Sequence, residues 1–216
     1  MIADIGSGTG QMTELFLQHG NPVYAIEPNV DMRRVAEQEL RAYPRLTSLG
    51  ATAEATTLPD HSVHLITVGN AFHWFDHPRT RAEFLRILAP HGWVVLAWNL
   101  ERNNGSPFAT AFEQFWQNHI DPAARFRRFG ERQRPDYIPK FFGASNFKET
   151  HLDNYQVCDF DALQGLALSF LKAPKADDPH YPVMLDELQT IFNQYHETDT
   201  VTLEYDTAIF YGQLSA

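Results

Sequence analysis

Cysteine is almost absent from this 216-residue sequence, in which Cys158 is the single thiol. One cysteine cannot form an intramolecular disulfide, and it cannot supply a metal site built from several thiolates. The composition therefore argues against a disulfide-stapled secreted scaffold, and no metal is expected. A single thiol is typical of the reducing cytoplasm, which is the location that we expect for this chain.

Long hydrophobic runs are also lacking. No stretch approaches the roughly 20 apolar residues that a membrane-spanning helix needs, and the first residues form neither a basic leader nor a small-residue cleavage site. Internal repeats and low-complexity tracts are absent as well. These features favour a globular protein without a membrane partner, made of one domain or of a core with an insertion.

Positive charge is scarce relative to negative charge. Lys and Arg total 17 against 27 Asp and Glu, so the formal net charge is −10. Such a surface repels a nucleic-acid backbone, and a small-molecule partner is favoured instead. One local run of arginines is interpreted as a solvated helix face or loop, with attraction of an anionic substrate as the alternative. The run comprises Arg125, Arg127, Arg128, Arg132 and Arg134.

Residues 1–99 alternate strand-like and helix-like patterns, which predicts parallel βαβ units. Strands are predicted over 1–5, 23–27, 46–49, 63–69 and 93–98, with the turn 90–92 before the fifth. The first predicted helix ends at Gly20, the second follows an Asn29 cap, and the third spans 79–88. The residues at helical spacing are Met12, Leu15 and Phe16 in the first helix, with His19 as a further candidate, and Met32, Val35, Ala36 and Leu40 in the second.

The rest of the chain divides into an irregular stretch and a regular tail. Residues 100–146 are predicted to form an inserted cap, whose helix packs on the core through aromatic residues or, alternatively, stacks them on a substrate. These residues are Phe108, Phe112, Phe115 and Trp116. Residues 147–216 are expected to complete the sheet, with strands at 147–157 and 200–211, helices near 161–171 and 182–195, and an antiparallel last strand. We thus predict one domain with a cofactor-binding core over 1–99.

The segment ADIGSGTGQM, residues 3–12, runs from a strand into closely spaced glycines. Glycine permits a positive φ and a close approach of ligand to backbone, and the N–H groups at the start of the next helix favour an anionic group. Glycine-rich turns are common, so the loop alone is weak evidence. The second strand ends in Glu27, whose carboxylate can accept two hydrogen bonds from a ribose diol, which makes an adenosine-containing cofactor plausible.

Taken in order, these motifs resemble those of the class I S-adenosylmethionine-dependent methyltransferases. IADIGSGTG is similar to their first motif and YAIEPN to their second, and the segments at 51–76 and 84–98 are similar to the stretches that follow. LALSFLKAP and LEYDTAIFYGQL resemble the small-molecule branch of the family. The resemblance implies a Rossmann-like, doubly wound, mostly parallel seven-stranded sheet, with S-adenosyl-L-methionine as the cofactor.

The resemblance also implies roles for particular residues. Asp4 would serve the cofactor's ammonium group directly or through water, Glu27 the ribose, and Ala53 and Glu54 the adenine. The expected cofactor contacts are Asp4, Gly6, Ser7, Gly8, Gly10, Glu27, Pro28, Met32, Ala53, Glu54 and Asn70. His73 is the candidate base for an oxygen or nitrogen nucleophile, and Phe72, Trp74 and Phe75 are expected to shape the substrate pocket. The alternative for this segment is a plain aromatic wall.

Two departures from the family pattern stand out. His91 replaces a usual glycine, and the chain begins at the first strand, where the family carries helices that enclose the cofactor. We expect these lid helices to be missing, and cofactor binding and turnover to be weak without them. Whether a short natural protein or a fragment explains the start stays open, as do the acceptor and the oligomeric state.

The predicted function is transfer of a methyl group to an oxygen or nitrogen of a small molecule. A nucleic acid is not expected as substrate or partner. One alternative is a nicotinamide-dependent oxidoreductase. This alternative is disfavoured because the dinucleotide fingerprint has a glycine at the position of Gln11. A second alternative is a non-catalytic module that binds cofactor or partner on the same fold.

Overall fold

A computed structural model describes residues 1–102, 105–119, 137–143, 146–169 and 173–215. The five arginines of the basic run lie outside these residues. The chain forms two compact units, of which the first contains the described residues of Met1–Trp98, Pro135–His151 and Ala208–Ala216. The second contains those of Asn99–Arg134 and Leu152–Thr207. The prediction of a separate inserted cap over 100–146 remains a prediction.

Seven strands form one sheet in the order β3-β2-β1-β4-β5-β7-β6. Strands β1, β2, β3, β4 and β5 pair in parallel, and the last strands run antiparallel. This confirms the predicted doubly wound, mostly parallel class. The strands are β1 Ile2–Ile5, β2 Val23–Ile26, β3 Leu46–Leu49, β4 Val63–Gly69, β5 Leu88–Glu101, β6 Phe147–Cys158 and β7 Val201–Gly212.

The central strand β1 positions the functional edge of the first unit. It lies between β2 and β4, and its residue Asp4 is in register with Ala25 and with Thr67. A strand with neighbours on both sides and both faces covered reads as a continuous apolar run, as the buried Ile2, Ala3 and Ile5 show. The carboxyl ends of β1, β2 and β4 therefore meet at one edge, where such sheets bind ligands.

Helices follow the strands much as the patterns predict. The Asn29 side chain accepts hydrogen bonds from the N–H groups of Asp31 and Met32, and Gly20 adopts a φ of +74° after the first helix. Asp76 caps the third helix, which starts two residues earlier than predicted. The helices are α1 Gln11–Gln18, α2 Val30–Glu39, α3 His77–Ile87, α4 Pro107–His119, α5 Tyr137–Phe142, α6 Phe160–Leu168 and α7 Tyr181–Tyr195. None of the helices described is long and apolar enough to cross a membrane.

The buried faces of the first two helices differ from the apolar spacing in the sequence. In α1 the buried residues are Thr13 and Leu17, whereas Leu15 is 57% exposed. In α2 Ala36 is buried, but Met32 and Val35 are exposed. The side of α1 that carries Thr13 faces the sheet because the Thr13 hydroxyl donates a hydrogen bond to the carboxylate of Asp4 on β1.

Strand β5 is longer than the predicted 93–98, because it begins at Leu88 and continues to Glu101. The predicted turn at 90–92 is an irregularity inside it: Leu88 pairs with Val63, and Trp93 pairs with Leu65 after a shift of register. His91 accommodates the shift with a φ of +63°, a conformation that a glycine would adopt at lower cost.

The second unit has a core of its own, built around α4. The aromatic face predicted for this helix is buried there, so these rings pack within the second unit, in agreement with packing rather than substrate stacking. Phe112 and Phe115 stack with ring centroids 5.8 Å apart. The other buried residues of this core include Leu163, Met184, Leu188, Phe192, Val201 and Leu203.

A buried carboxylate on α3 holds the segment that leads into β4. Glu83 accepts hydrogen bonds from the N–H and the hydroxyl of Thr56 at 2.8 and 2.6 Å. It also accepts two from the Arg86 guanidinium at 2.7 and 2.8 Å, and Arg86 reaches Asp60 at 2.6 Å. The hydrogen bonds from Arg86 lower the pKa of Glu83 to about 2, with those from Thr56 adding to the effect against burial.

We expect Glu83→Gln to lower the free energy of unfolding at neutral pH by about 2–3 kcal/mol, because a neutral amide loses the charge-assisted bonds. The folded pKa is depressed, so this stability is present above the ordinary value of 4.5 and is lost as the pH falls towards about 2. Urea unfolding of parent and variant from pH 7 to pH 2 measures the difference at neutral pH and its loss in acid. Glu39→Gln on α2 is the exposed control; an equal loss in both variants would contradict the prediction.

Candidate functional site

The loop between β1 and α1 contains three glycines with positive φ. The surroundings of Gly6 and Gly10 differ from those of Gly8. Gly6, Gly8 and Gly10 have φ values of +69°, +57° and +91°. A Cβ on Gly6 would lie 2.7 Å from the Ala71 Cβ, and one on Gly10 would lie 2.7 Å from the Leu40 Cδ1. A Cβ on Gly8 would meet nothing within 4 Å. The loop therefore packs through its outer glycines and presents open space at Gly8.

The Glu27 carboxylate at the end of β2 is bonded directly to this loop. The Gly8 N–H donates to one carboxylate oxygen at 2.9 Å, and the Asn29 N–H donates to the other at 2.8 Å. Glu27 is only 7% exposed. The structure thus brings together the two sequence features that pointed to an adenosine ligand, and each oxygen retains a lone pair that can accept a further hydrogen bond.

Three further predicted cofactor residues, Ser7, Pro28 and Met32, lie close in sequence to Gly8 or Glu27. The Ser7 N–H donates to the Ile26 carbonyl at 3.1 Å, and the Ser7 carbonyl accepts from the Gly10 N–H at 2.9 Å. Pro28 and Met32 are exposed beside the end of β2. Ser7 therefore shapes the loop through its backbone, while Pro28 and Met32 leave apolar surface on its rim.

The Asp4 carboxylate lies beneath the loop and is 1% exposed. The Thr13 hydroxyl donates to one of its oxygens at 2.6 Å, and the Thr67 hydroxyl donates to the other at 3.0 Å. Burial raises the pKa of Asp4 to about 6 and the nearby charge of Glu27 adds to this, although the two hydroxyls oppose it. Asp4 thus ties α1 and β4 to β1. Sequence reasoning missed both threonines, whose only signal was a polar residue inside an otherwise apolar pattern.

Ala53 and Glu54, predicted beside an adenine, lie in the segment before β4. Ala53 is buried, and the half-buried Glu54 accepts a hydrogen bond from the Asp76 N–H at 2.9 Å. Burial by itself would raise the pKa of Glu54, but backbone hydrogen bonds, the Thr52 hydroxyl and the charge of Arg79 lower it. Glu54 is therefore ionised at neutral pH and fastens its segment to the start of α3.

The turn after β4 carries the predicted substrate residues. Asn70 has a φ of +53°, and its N–H donates to the Ala97 carbonyl at 2.9 Å. A single 3₁₀ turn, Phe72–Trp74, follows. His73 is half-buried with its ring centroid 4.9 Å from that of Trp74, which is exposed.

The two phenylalanines of this turn are placed differently from each other. Phe72 has no exposed surface and stacks on His77 with ring centroids 4.7 Å apart, so it anchors the turn in the core. Its role in shaping the substrate pocket stays a prediction. Phe75 is half-buried, and its ring edge would lie 3.2 Å from a Cβ on Gly6. Phe75 therefore contacts the glycine loop. No group of three or more His, Cys, Asp or Glu side chains in the described part of the chain could hold a metal ion.

Comparison with known proteins relates this arrangement to a family. A family model described as a methyltransferase domain matches residues 3–96. An uncharacterized methyltransferase of Mycobacterium tuberculosis is 37% identical over 98 residues, which cover 45% of this chain and 39% of that protein. The aligned part thus spans about two fifths of this relative. An uncharacterized methyltransferase of Schizosaccharomyces pombe is 25% identical over 97% of this chain and 81% of its own length.

Solved structures show the same fold. A candidate type II methyltransferase of Anaeromyxobacter dehalogenans superposes with a TM-score of 0.68 at 20% identity, over 100% of this chain and 90% of its own. A phosphoethanolamine N-methyltransferase of Haemonchus contortus, in complex with phosphomonomethylethanolamine and S-adenosylhomocysteine, superposes with a TM-score of 0.54 at 15% identity. It covers 100% of this chain and 48% of its own. At these identities the likeness shows the fold alone.

We expect Asp4→Asn to raise the free energy of unfolding at pH 7 to 8, by up to about 3 kcal/mol. The folded pKa, about 6, is raised above the ordinary 3.8, so stability falls as the pH rises through that window and Asp4 ionises. An amide keeps the shape of the carboxyl and can still bond to both threonine hydroxyls. Urea unfolding between pH 5 and pH 8 should therefore give a flatter profile for the variant. Asp186→Asn on α7 is the exposed control, and a variant less stable than the parent at pH 7 would contradict the prediction.

Proposed function

Since this chain belongs to the class I S-adenosylmethionine-dependent methyltransferases, we propose that it transfers the methyl group of that cofactor to an oxygen or nitrogen of a small molecule. The observation that carries the proposal is the hydrogen bond from Gly8 to Glu27 beside open space. It holds a carboxylate ready for a ribose at the place where backbone and ligand can approach each other. The net charge of −10 supports a small acceptor over a nucleic acid.

The residues present fit the cofactor. Glu27 would hold the ribose hydroxyls through the remaining lone pairs of its fixed oxygens. The N-terminal end of α1 suits the carboxylate of the amino acid end, because the helix dipole favours negative charge there. Asp4 would act on the ammonium group directly or through a water molecule, with its carboxylate held by the Thr13 and Thr67 hydroxyls. The other predicted contacts would line the same site: Gly6, Ser7, Gly10, Pro28, Met32, Ala53, Glu54 and Asn70.

When bound, the cofactor supplies a methyl group on a positively charged sulfur, which departs as a neutral thioether once a lone pair of the acceptor takes the methyl carbon. The contribution of this chain is mainly to align the acceptor, because in-line displacement depends on a near-attack geometry. His73 would take the proton that the acceptor atom loses. The half-buried position of His73, on the turn after β4, supports this role. Trp74 and Phe75 would border the acceptor.

We expect Gly8→Ala to weaken binding of S-adenosylmethionine by at least about 10-fold, because the new Cβ enters the space that the ligand needs. Gly20→Ala is the matched control: Gly20 also has a positive φ, +74°, with nothing within 4 Å of a Cβ. Both variants should lose a similar free energy of unfolding, about 1–2 kcal/mol. Titration calorimetry measures the affinity, and equal affinities in parent and Gly8→Ala would exclude this cofactor site.

We expect His73→Gln to reduce kcat by about 10²-fold or more, with the dissociation constant of the cofactor unchanged within about twofold. The assay measures S-adenosylhomocysteine release over a library of small hydroxylated, carboxylated and amine-bearing molecules. His64→Gln, an exposed histidine on β4, is the control. Stoichiometric binding without any turnover by the parent would instead indicate a non-catalytic module.

A further inference from the structure

Trp98 occupies a defined place at the carboxyl edge of the sheet. The pairing of β4 with β5 ends at Gly69 and Ala97, so Trp98 is the next residue of β5. The Ala97 carbonyl accepts the Asn70 N–H at 2.9 Å, which fixes this part of β5 beside the turn after β4. Ligands of parallel sheets bind beyond the carboxyl ends of the strands. Trp98 is therefore at the same edge as the proposed acceptor residues.

Two aromatic rings fix the orientation of the Trp98 indole. The ring of Phe72 meets it edge to face with centroids 6.3 Å apart, and the ring of Phe210 does so at 5.8 Å. Trp98 is 8% exposed. Because Phe72 also begins the turn that carries His73, the indole is held in a fixed position relative to that turn.

The indole N–H of Trp98 has an unusual environment. Its nitrogen is buried, yet no acceptor in the described ranges lies within hydrogen-bond distance of it. Buried tryptophan N–H groups usually find a partner, and a donor left without one costs about 1–3 kcal/mol. Phenylalanine would supply similar aromatic packing without this cost. A donor kept at such a place calls for an acceptor that the described residues do not provide.

Building on the proposed function, we infer that the Trp98 indole N–H donates a hydrogen bond to an oxygen of the methyl acceptor. The acceptor then carries a carbonyl, carboxylate or hydroxyl oxygen separate from the atom that receives the methyl group. The hydrogen bond selects such molecules over analogues of the same shape that lack the oxygen, because those would leave the N–H buried and unsatisfied. Trp98 is thus a substrate-binding residue that determines specificity and takes no part in proton transfer.

The test compares Trp98→Phe with the parent, using whichever oxygen-bearing compound of the assay library the parent methylates. Loss of one hydrogen bond should raise KM for that compound about 10-fold. The turnover number and the dissociation constant of S-adenosylmethionine should stay within about twofold. Trp93→Phe on the same strand is the matched control, because Trp93 is 42% exposed and lies beside Tyr211.

A second replacement separates the hydrogen bond from the volume of the ring. Site-specific 3-benzothienylalanine at position 98 keeps the bicyclic shape and has sulfur in place of the N–H. An increase of KM in both variants supports the inference. An unchanged KM in the benzothienyl variant overturns it, even if Trp98→Phe is impaired through a cavity.

The outcome also distinguishes the inference from the function on which it rests. If the parent binds S-adenosylmethionine but methylates nothing in the library, the proposed function fails and the inference fails with it. If the parent methylates a compound and both Trp98 variants keep its KM, only the inference fails.

Discussion

The hydrogen bond between the Gly8 N–H and the Glu27 carboxylate is the constraint around which the candidate site is built. It joins the first strand-to-helix turn to the end of the second strand. The two groups stabilise each other, because a buried N–H without an acceptor and a buried carboxylate without donors would each destabilise the folded protein. The bond also fixes the orientation of the carboxylate before a ligand binds. The entropic cost of ordering this side chain on binding is therefore smaller.

Two buried carboxylates of the first unit, Asp4 and Glu83, differ in pKa because their donors differ in charge. Asp4 is bonded to the neutral hydroxyls of Thr13 and Thr67, which do not offset its burial, so its pKa is raised. Glu83 is bonded to the Arg86 guanidinium, so its pKa is lowered. The ionised form of Glu83 therefore stabilises the first unit. The ionised form of Asp4, by contrast, is unfavourable in its buried position. A positively charged ligand placed near Asp4 would favour its ionised form.

Gly6 connects the glycine loop to the turn after β4. Its missing Cβ lets Ala71 approach, and the Phe75 ring edge lies next to the same position. Phe72 anchors the other end of the turn in the core and contacts Trp98. The proposed cofactor loop, the candidate base and the indole of Trp98 are thus connected by direct packing within the first unit, so a change in the turn affects all three.

The succession of strands and helices along residues 1–99, the glycine loop and the acidic end of β2 were predictable, because each is encoded by neighbouring residues through hydrophobic period, cap and turn chemistry. The seven-stranded class was implied by the resemblance to a family. Other features required the tertiary structure. Among the three glycines only Gly8 borders open space, and Asp4 owes its raised pKa to burial among segments distant in sequence, which include Thr67, 63 residues away. The turned face of α1, the burial of Phe72 and the unpaired donor of Trp98 likewise depend on contacts between distant segments. Local sequence patterns determine which helices and strands form. The burial and the charge of a residue in the site depend on its neighbours in the fold, and these neighbours come from segments that are far apart in the sequence.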